Sequence, residues 1–393
     1  MKVAILSYGL SGLGGTETVL KSWFSFFKNK NIERKTFVFD HLDNAAFIEG
    51  ETYELIEKMR SHKIRLHLTK DFIKNQYDLV ICFSPRYARY AQFARMFCFG
   101  KKPKIIFLSH FSLNSLNIIS KRKTSFKDER TLRKCDAIFA LCKDMVKEFL
   151  NIGVSGEKIH LIFNPVKRAT SYIPKSKAGN KFIFMGRLDD NQKNIKGIID
   201  VFASLDRPFQ LDILGSGSDG DALIAHVAYR NKLPLSVSKV LSVVRELDLF
   251  KTVLPYKAAN DIAESLASKD LFNKISIPGK WSLDPWAELD SADALVLNSR
   301  YEGFGMVLAE AVARGLPCIS VDCAVGPSDI IQHGVNGYLF EKGDQEAFKS
   351  YIYKIMDGEL TSSQEQISSS IEEMYEDCYY KRFEKILLTL AEQ

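Results

Sequence analysis

Residues 298–329 form the stretch of the sequence that most constrains the fold. An apolar segment at 292–297 precedes this stretch, and a glycine-bearing loop, a run with helical periodicity and a second apolar segment at 317–321 follow. The order strand, loop, helix, strand is that of a parallel sheet, because two parallel strands can be joined only by a long crossover connection. Loops at the carboxyl ends of parallel strands bind ligands in open α/β sheets. The sequence therefore predicts a binding site in this loop.

Two glutamates in this stretch stand at positions suited to binding. Glu302 lies in the predicted loop, and Glu310 follows about two turns into the predicted helix. Between them, Gly303 and Gly305 flank Phe304. Glycines let the backbone approach a ligand closely, and the free amides at a helix start bind anions. Carboxylates here would accept hydrogen bonds from the hydroxyl groups of a sugar or a ribose.

Strand-like and helix-like segments alternate along the whole chain, which predicts an α/β protein with two Rossmann-like domains. A length of 393 residues is consistent with two domains, predicted at 1–168 and 177–370. The amphipathic tail at 371–393 is long enough to cross back and pack on the first domain. Two segments are harder to interpret. Residues 221–273 carry no chemical motif, and residues 361–370 resemble a low-complexity tract.

Two features of the first domain suggest contact with a substrate. The loop that follows the first predicted strand contains Gly12, Gly14 and Gly15, more glycines than a tight turn needs, which favours close approach to a phosphate. The dinucleotide fingerprint GxGxxG is absent, and a simple strand-to-helix turn stays an alternative. His110 ends a predicted strand, where it could position a substrate hydroxyl or serve only as a structural hydrogen-bonding group.

The second domain opens with a pair of cations. Arg187 and Lys193 flank a short loop between a predicted strand and a predicted helix, a position suited to clamping a diphosphate. A metal site is not expected, because Glu302 and Glu310 have no third acidic partner and Asp189-Asp190 is interpreted as a turn.

The net charge of +6 conceals an asymmetry between the two halves. Residues 1–168 contain 30 Lys and Arg against 16 Asp and Glu, and the remainder contains 24 against 32. A basic first domain predicts a polyanionic partner such as anionic lipid or a phosphorylated glycan. Nucleic acid is not expected, because no nucleic-acid-binding motif is present. Basic residues concentrate in three clusters, at 21–35, 86–104 and 121–134, and aromatic residues stand among them in the first two. The clusters are either solvated helix faces or an interfacial surface that contacts anionic lipid.

Other features limit the location of the protein. No run of 18 apolar residues occurs, so no membrane span is predicted, and the first residues do not read as a signal peptide. The seven cysteines form no CxxC pair, which indicates buried, reduced thiols in a cytoplasmic protein.

Several motifs together resemble the retaining glycosyltransferases of family 4, which have the GT-B fold. They are Glu302-Gly303-Phe304-Gly305 with Glu310, Gly186-Arg187 with Lys193, and Gly14-Gly15-Thr16-Glu17. The segments SGLGGTETV, HFSLN, IFNPV and CISVDCAVGPSDIIQ further resemble the lipopolysaccharide-core α-1,6-galactosyltransferases that use UDP-galactose. The resemblance covers nearly the whole chain. It implies two Rossmann-like domains facing each other across a cleft, with the acceptor on the first and the nucleotide-sugar on the second.

The resemblance also implies a role for each candidate residue. Glu302 would contact the donor hexose and Glu310 the ribose, while Arg187 and Lys193 would hold the diphosphate. Other residues implied in donor binding or near the reacting centre are Gly14 and Gly15 against the diphosphate, Gly303, Phe304 and Gly305 in the donor loop, Gly279 in the segment that holds the nucleobase, and His110 near the reacting centre. The donor is a co-substrate, and no cofactor or metal is expected.

The expected function is transfer of a hexose, galactose or glucose, from a UDP-sugar to a lipopolysaccharide or lipooligosaccharide core-type acceptor with retention. The expected location is cytoplasmic, peripheral at the cytoplasmic face of the inner membrane, whose anionic surface the basic first domain would contact. Alternatives are an acceptor that is another glycan, teichoic acid or protein, or a non-catalytic partner subunit that binds a nucleotide-sugar. An NAD-dependent epimerase is disfavoured, because GxGxxG and a suitable Tyr-x-x-x-Lys pair are absent.

Overall fold

The computed structural model describes residues 1–8, 15–39, 50–57, 59–108, 112–113, 124–174, 178–230, 274–281, 285–323 and 325–393. The chain divides into two compact units. The first unit comprises Met1–Lys167 together with Glu373–Gln393, and the second comprises Arg168–Glu372. Both are built on a parallel β-sheet with helices between the strands, so the predicted α/β fold class is confirmed.

The first unit contains a seven-stranded sheet in the order β3-β2-β1-β4-β5-β6-β7, with every described pair parallel. Its strands are β1 (Lys2–Ser7), β2 (Glu33–Phe39), β3 (Tyr53–Ile56), β4 (Leu79–Cys82), β5 (Lys104–Leu108), β6 (Ala137–Ala140) and β7 (Ile159–Leu161). Its described α-helices before β7 are α1 (Gly15–Asn29), α2 (Ser61–Asn75), α3 (Pro85–Arg95), α4 (Phe126–Arg133) and α5 (Lys143–Asn151).

The second unit contains a six-stranded parallel sheet in the order β10-β9-β8-β11-β12-β13. Its strands are β8 (Lys181–Met185), β9 (Gln210–Leu214), β10 (Ile275–Ser276), β11 (Ala294–Leu297), β12 (Cys318–Val321) and β13 (Gly337–Phe340). Its described α-helices are α6 (Asp190–Lys193), α7 (Ile195–Ala203), α8 (Gly220–Arg230), α9 (Pro285–Ser291), α10 (Met306–Ala313), α11 (Pro327–Ile330), α12 (Gln345–Met356) and α13 (Gln364–Ser369). The last helix of the chain, α14 (Glu376–Glu392), belongs to the first unit.

The tail packs against α1 through aromatic side chains. Phe383 of α14 stacks on Trp23 at 4.8 Å between ring centroids, and Trp23 Nε1 donates a hydrogen bond to Tyr379 Oη at 2.8 Å. Phe26 stacks on Tyr380 at 4.5 Å. The interfacial interpretation of the cluster at 21–35 is therefore wrong for its aromatic residues, which form the core of the unit: Trp23, Phe24, Phe26 and Phe27 are all buried.

The cluster at 86–104 also has buried aromatic residues. Tyr87 and Tyr90 are buried, and Arg89 and Arg95 form ion pairs with Asp128 and Asp136. Only the end of this segment, from residue 96 onward, exposes large apolar side chains. In the third cluster, residues 121–123 lie outside the described part of the chain.

Four elements of secondary structure were not foreseen from the sequence. Strand β3 and helix α2 were missed. Helix α8 stands at the start of the segment 221–273, which showed no motif. Residues 231–273 of that segment lie outside the described residues. The apparent low-complexity tract contains α13, which starts with a capping box between Ser363 and Gln366. Serines that look like linker residues thus serve as a helix cap.

Two further sequence predictions concern membrane-spanning helices and the state of the cysteines. Among the described helices, none combines the length and the apolar character needed to cross a membrane. None of the seven cysteines, all of which the structure describes, forms a disulfide bond, and six of them are buried. Burial raises the pKa of Cys82 and Cys318, so these thiols are protonated and pack as small apolar groups.

Candidate active site

The candidate site lies at the carboxyl edge of the second sheet, where β8 and β11 are neighbours. Strand β8 pairs with β9 on one side and β11 on the other, so the strand order reverses at this point. Loops that follow the two strands at such a reversal diverge and leave a crevice for a ligand. The loop after β8 carries Arg187 and leads to Lys193, and the loop after β11 carries Glu302.

Lys193 and Glu302 form an ion pair between these two loops. Lys193 Nζ donates to Glu302 Oε1 at 2.6 Å, and the two side chains are only 13 % and 6 % exposed. The residues are 109 positions apart in sequence. A buried pair of this kind needs good geometry to offset the loss of hydration. The structure thus brings together the cation predicted for a diphosphate and the carboxylate predicted for a hexose.

Arg187 is exposed in the loop directly after β8. Its guanidinium is close enough to influence Tyr301, the residue before Glu302. Burial raises the pKa of Tyr301, the carboxylate of Asp189 acts in the same direction, and Arg187 opposes the change. Arg187 therefore lies on the same side of the site as the Lys193–Glu302 pair, with its charge available at the surface.

Asp189 and Asp190, interpreted from the sequence as a turn, instead cap helices. The carboxylate of Asp189 accepts a hydrogen bond from the amide of Gln192 at 3.2 Å and begins α6. The carboxylate of Asp190 accepts from the amide of Lys196 at 2.8 Å in the first turn of α7. These caps hold the short helix that ends at Lys193.

Gly303, Phe304 and Gly305 lead into α10. Gly305 is the N-cap residue with φ 92°, a conformation that favours glycine, and it provides no side chain to cap the helix. Phe304 is buried, and its carbonyl oxygen would lie 2.1 Å from a Cβ placed on Gly326. The loop is therefore held in one position, with the amide end of α10 directed toward the carboxyl edge.

Glu310 lies within α10 and is partly buried. Burial raises its pKa to about 7, well above the ordinary value for a glutamate. A carboxyl group in this environment ionises readily only if a hydrogen-bond donor or a cation approaches it. Glu302 and Glu310, eight positions apart, thus differ: the carboxylate of Glu302 is paired with a lysine, and the carboxyl group of Glu310 is desolvated by burial.

Gly279 and Cys323 extend the site along the sheet edge. Gly279 has φ 66° in the turn after β10, and the next residue accepts a hydrogen bond from the amide of Gly215, which follows β9. Cys323 follows β12, and burial raises the pKa of its thiol to about 12, with a further contribution from the carboxylate of Glu302. Cys323 was not predicted as a site residue, because a lone cysteine beside an apolar strand carries no motif.

Arg300 connects the two halves of the site and was also missed. Its guanidinium donates to the carbonyls of Asp190 and Asn191 and to Asn194 Oδ1, the last at 2.8 Å. Its amide donates to the carbonyl of Gln192 at 2.7 Å. Arg300 thereby joins the loop of Glu302 to the helix of Lys193. No sequence signal could have identified it, because the residues it binds are about a hundred positions earlier in the chain.

The candidate residues of the first unit are only partly described. Gly15 is the first residue of α1 and is exposed. Gly14 and His110 lie outside the described residues, and their roles stay predictions. The other eight candidates, from Arg187 to Glu310, all lie in the second unit, in the segments that follow β8, β10 and β11.

Chemically, this edge can bind a ligand with an anionic part and a hydroxylated part. Lys193, Arg187 and the uncapped start of α10 supply positive charge or amide donors. Glu302 and Glu310 supply acceptors for hydroxyl groups.

Two sequence families match the chain. Residues 45–169 match the family described as Glycosyltransferase Family 4, and residues 259–374 match Glycosyl transferases group 1. The second match contains Glu302 and Glu310, and it ends close to the point where the second unit ends.

Individual relatives cover nearly the full length. The chain is 29 % identical to a lipopolysaccharide 1,6-galactosyltransferase of Escherichia coli K12, with 99 % of this chain and 98 % of that protein covered. It is 27 % identical to the protein of the same name in Salmonella typhimurium LT2, with 99 % of each covered. The apo structure of the lipopolysaccharide outer core galactosyltransferase WaaB superposes with a TM-score of 0.77 at 26 % identity over 99 % of both chains.

A structure of Anabaena Alr3699/HepE in complex with UDP shares the fold, with a TM-score of 0.73 at 15 % identity over 99 % of this chain and 100 % of that one. Family matches in both halves, full-length relatives and the two parallel sheets agree with the resemblance drawn from the motifs. The chain is a glycosyltransferase of the GT-B fold, with a family 4 domain in its first half and a group 1 domain in its second.

Proposed function

We propose that the protein transfers a hexose, galactose or glucose, from a UDP-sugar to a lipopolysaccharide or lipooligosaccharide core-type acceptor, with retention of the anomeric configuration. The observation that carries this proposal is the buried pair of Lys193 and Glu302 at the switch point between β8 and β11. In this pair, a cation that can bind a phosphate is hydrogen-bonded directly to a carboxylate that can accept from a sugar hydroxyl.

In the proposed reaction, the bond between the sugar C1 and the β-phosphate oxygen breaks as the acceptor oxygen bonds to C1 on the same face. The proton of the acceptor hydroxyl goes to a phosphate oxygen of the departing UDP. Arg187, Lys193 and the amides at the start of α10 stabilise the charge that develops on the diphosphate. Glu302 orients the hexose, and Glu310 accepts hydrogen bonds from the ribose.

Donor binding changes the partners of both members of the pair. Without a donor, Lys193 and Glu302 neutralise each other. A diphosphate gives Lys193 an additional anionic partner, and the hexose hydroxyls give Glu302 new donors. The pair therefore keeps two buried charges compensated in the free enzyme and holds both side chains where the donor needs them.

The acceptor assignment rests on the full-length relatives, which are named as lipopolysaccharide 1,6-galactosyltransferases. Such an acceptor is made at a membrane, and the excess of basic residues in 1–168 suits an anionic surface. We place the protein in the cytoplasm, peripheral to the inner membrane. Neither a metal ion nor another cofactor takes part in the proposed reaction, and transfer should be unaffected by EDTA.

A donor screen tests this proposal directly. Purified protein should show a thermal shift with UDP-galactose or UDP-glucose and should hydrolyse that donor slowly without acceptor. A deletion strain should produce a core glycan lighter by one hexose, and the product's anomeric proton signal should report the α configuration. An unchanged core glycan together with no response to any UDP-hexose would refute the assignment.

Two alternatives lead to different results. If the acceptor is another glycan, teichoic acid or a protein, donor hydrolysis persists while the core glycan of the deletion strain is unchanged. A non-catalytic partner subunit would bind the donor without hydrolysing it. The intact cation and carboxylate set, Arg187, Lys193, Glu302 and Glu310, favours the catalytic reading.

A further inference from the structure

The exposed side of α2 is both basic and apolar. Helix α2 buries Ile64, Leu68 and Phe72 against the first unit. On the opposite side, separated by three or four positions as helix geometry requires, are exposed residues of two kinds. They are Lys63, Leu66, Lys70, Ile73 and Lys74. In the part of the chain that the structure describes, the three lysines form no ion pair.

The end of α3 adds aromatic side chains to this surface. Met96 is 64 % exposed and Phe99 87 % exposed, and Phe97 is also exposed. Cys98 points inward and is buried, so it fixes the turn while its neighbours face outward. Exposed Lys101 and Lys102 follow immediately. Phe99 has the largest exposed fraction among the exposed large apolar residues of the described structure.

The two helices form one continuous surface. Ser61 of α2 accepts a hydrogen bond from Tyr90 of α3 at 3.0 Å. The guanidinium of Arg65 lies over the Phe93 ring at 5.6 Å, and the Phe93 ring is 5.2 Å from that of Phe97. The cation and the aromatic residues thus connect α2 to the exposed end of α3. We call this surface the α2–α3 face.

Its charge is almost entirely positive. Residues 61–103 contain nine Lys and Arg but only two acidic residues, Asp71 and Asp78. Asp71 accepts hydrogen bonds from Lys35 and from Tyr77 Oη, at 2.5 Å and 2.7 Å. Asp78 accepts from the amide of Lys2 and from Lys101 Nζ, at 2.8 Å and 2.9 Å. Both carboxylates are therefore occupied, and Arg89 and Arg95 are paired with Asp128 and Asp136. Among the described residues, the lysines of this surface without an ion pair are Lys63, Lys70, Lys74 and Lys102.

We propose that the α2–α3 face docks on an anionic phospholipid bilayer. Phe97, Phe99 and Met96 enter the boundary between headgroups and acyl chains, and the lysines contact lipid phosphates. A soluble protein rarely leaves three neighbouring large apolar side chains in water without a partner. The combination of apolar insertion with uncompensated lysines fits a lipid surface better than an apolar protein interface. This inference rests on the proposed membrane-surface location and names the residues responsible for it.

Vesicle co-sedimentation of the full chain tests the proposal. Wild type should bind vesicles of phosphatidylcholine mixed with phosphatidylglycerol more strongly than vesicles of phosphatidylcholine alone. The variant Phe97→Ser/Phe99→Ser should bind the anionic vesicles about tenfold or more weakly, because two apolar side chains no longer enter the boundary. Lys70→Gln/Lys74→Gln should weaken binding by a smaller factor that disappears at high salt.

Matched controls come from exposed residues of the same unit. Leu388→Ser and Lys381→Gln, both on α14, should bind vesicles as wild type does. Phe126, exposed within the third basic cluster, provides a rival location. If Phe126→Ser releases the protein and Phe97→Ser/Phe99→Ser does not, the docking surface is elsewhere and the inference is overturned.

A second measurement follows insertion directly. Phe99→Trp should give a fluorescence blue shift when anionic vesicles are added, and Leu388→Trp should not. If wild type shows no preference for anionic vesicles, the membrane-surface location fails, whereas donor binding by the second unit is unaffected. If wild type binds vesicles and Phe97→Ser/Phe99→Ser binds equally well, only the α2–α3 face is refuted. A loss of self-association in that variant, without vesicle binding by wild type, would assign the face to a second copy of the chain.

Discussion

Two clusters, one in each unit, join residues that are far apart in the sequence, and they differ in what they bury. In the first unit, α1 and α14 meet through Trp23, Tyr379 and Phe383, and the polar atoms among them bond to each other. In the second unit, Lys193 and Glu302 meet as an ion pair at the carboxyl edge of the sheet. The aromatic cluster lies in the interior, whereas the ion pair lies where loops diverge.

The difference separates stability from ligand binding within one architecture. Burial of aromatic rings stabilises the folded state by itself, so such a cluster needs no ligand. A buried ion pair is a weak source of stability and is often replaceable by apolar residues. Its presence at a switch point indicates that the charges are kept for a ligand. Substitutions in the first cluster should therefore change stability alone, and substitutions in the second should change donor binding and turnover.

The largest effect is expected for Phe383→Ala. Removing this ring leaves a cavity among Trp23, Phe26 and Phe139, and the free energy of unfolding should fall by about 3–5 kcal/mol. UDP affinity of the folded fraction should stay unchanged. Leu388→Ala, an exposed position on the same helix, should unfold as wild type does. A large loss of UDP affinity in folded Phe383→Ala would remove the distinction between the two clusters.

For the ion pair, Lys193→Ala should reduce turnover by about 10²-fold, and Arg187→Ala by a similar factor, because each removes a preorganised charge contact. The paired variant Lys193→Met/Glu302→Leu should keep the unfolding free energy near that of wild type, since neither charge is left without its partner. It should nevertheless lose UDP-sugar binding in calorimetry. Wild-type turnover in both Arg187→Ala and Lys193→Ala would contradict the diphosphate assignment.

Arg300→Ala should weaken UDP binding by about tenfold, because the helix that carries Lys193 loses its bonds to the loop of Glu302. Binding of uridine, which lacks phosphates, should be unaffected, and Arg300→Ala should cause no further loss in a Lys193→Ala background. Arg207→Ala is the matched control, since Arg207 is an exposed arginine of the same unit that pairs with Asp357. Equal losses for uridine and UDP would show general loosening of the unit instead of a specific positioning role.

The smallest effect concerns Glu310 and pH. With a pKa of about 7 in the free protein, its carboxylate form becomes the minority species as the pH falls below that value. If the ribose binds the carboxylate, UDP affinity should fall about threefold between pH 7.5 and pH 6.5, in proportion to the ionised fraction. The stability of the free protein should change in the opposite sense. Because the pKa of Glu310 is higher in the folded state than in the unfolded state, its contribution to the free energy of unfolding is present at low pH and is lost as the pH rises through about 7.

Glu310→Gln separates these two effects. The variant should lose most of the pH dependence of UDP affinity over this range and should melt at a higher temperature than wild type at pH 8 but not at pH 5. Glu346→Gln, at an exposed position in the first turn of α12, should behave as wild type in both measurements. An unchanged pH profile in Glu310→Gln would assign the dependence to another group.

Much of the fold was predictable because parallel strands are continuous apolar runs. Strands such as β1, β8, β11 and β12 fall close to their predicted positions, and so do the loops with Arg187 and Glu302. Strand β3 was not predictable in this way, because it lies at the edge of the sheet and its residues Tyr53 and Leu55 are exposed. Helix α2 was missed because Leu66 and Ile73 stand among the lysines of its outer side and conceal its buried stripe.

The sequence by itself determined the fold class, the family and the residue types available at the carboxyl edge of the second sheet, since all three depend on local patterns and motif spacing. It also located the excess of positive charge in the first half. Only the tertiary structure decided which residues meet. It paired Glu302 with Lys193, gave Glu310 different surroundings, assigned Trp23 and Phe26 to the core and left Phe97 and Phe99 at the surface. The physical reason is that burial and pairing depend on elements folded against each other, and positions about a hundred or several hundred residues apart leave no joint signature in a single sequence.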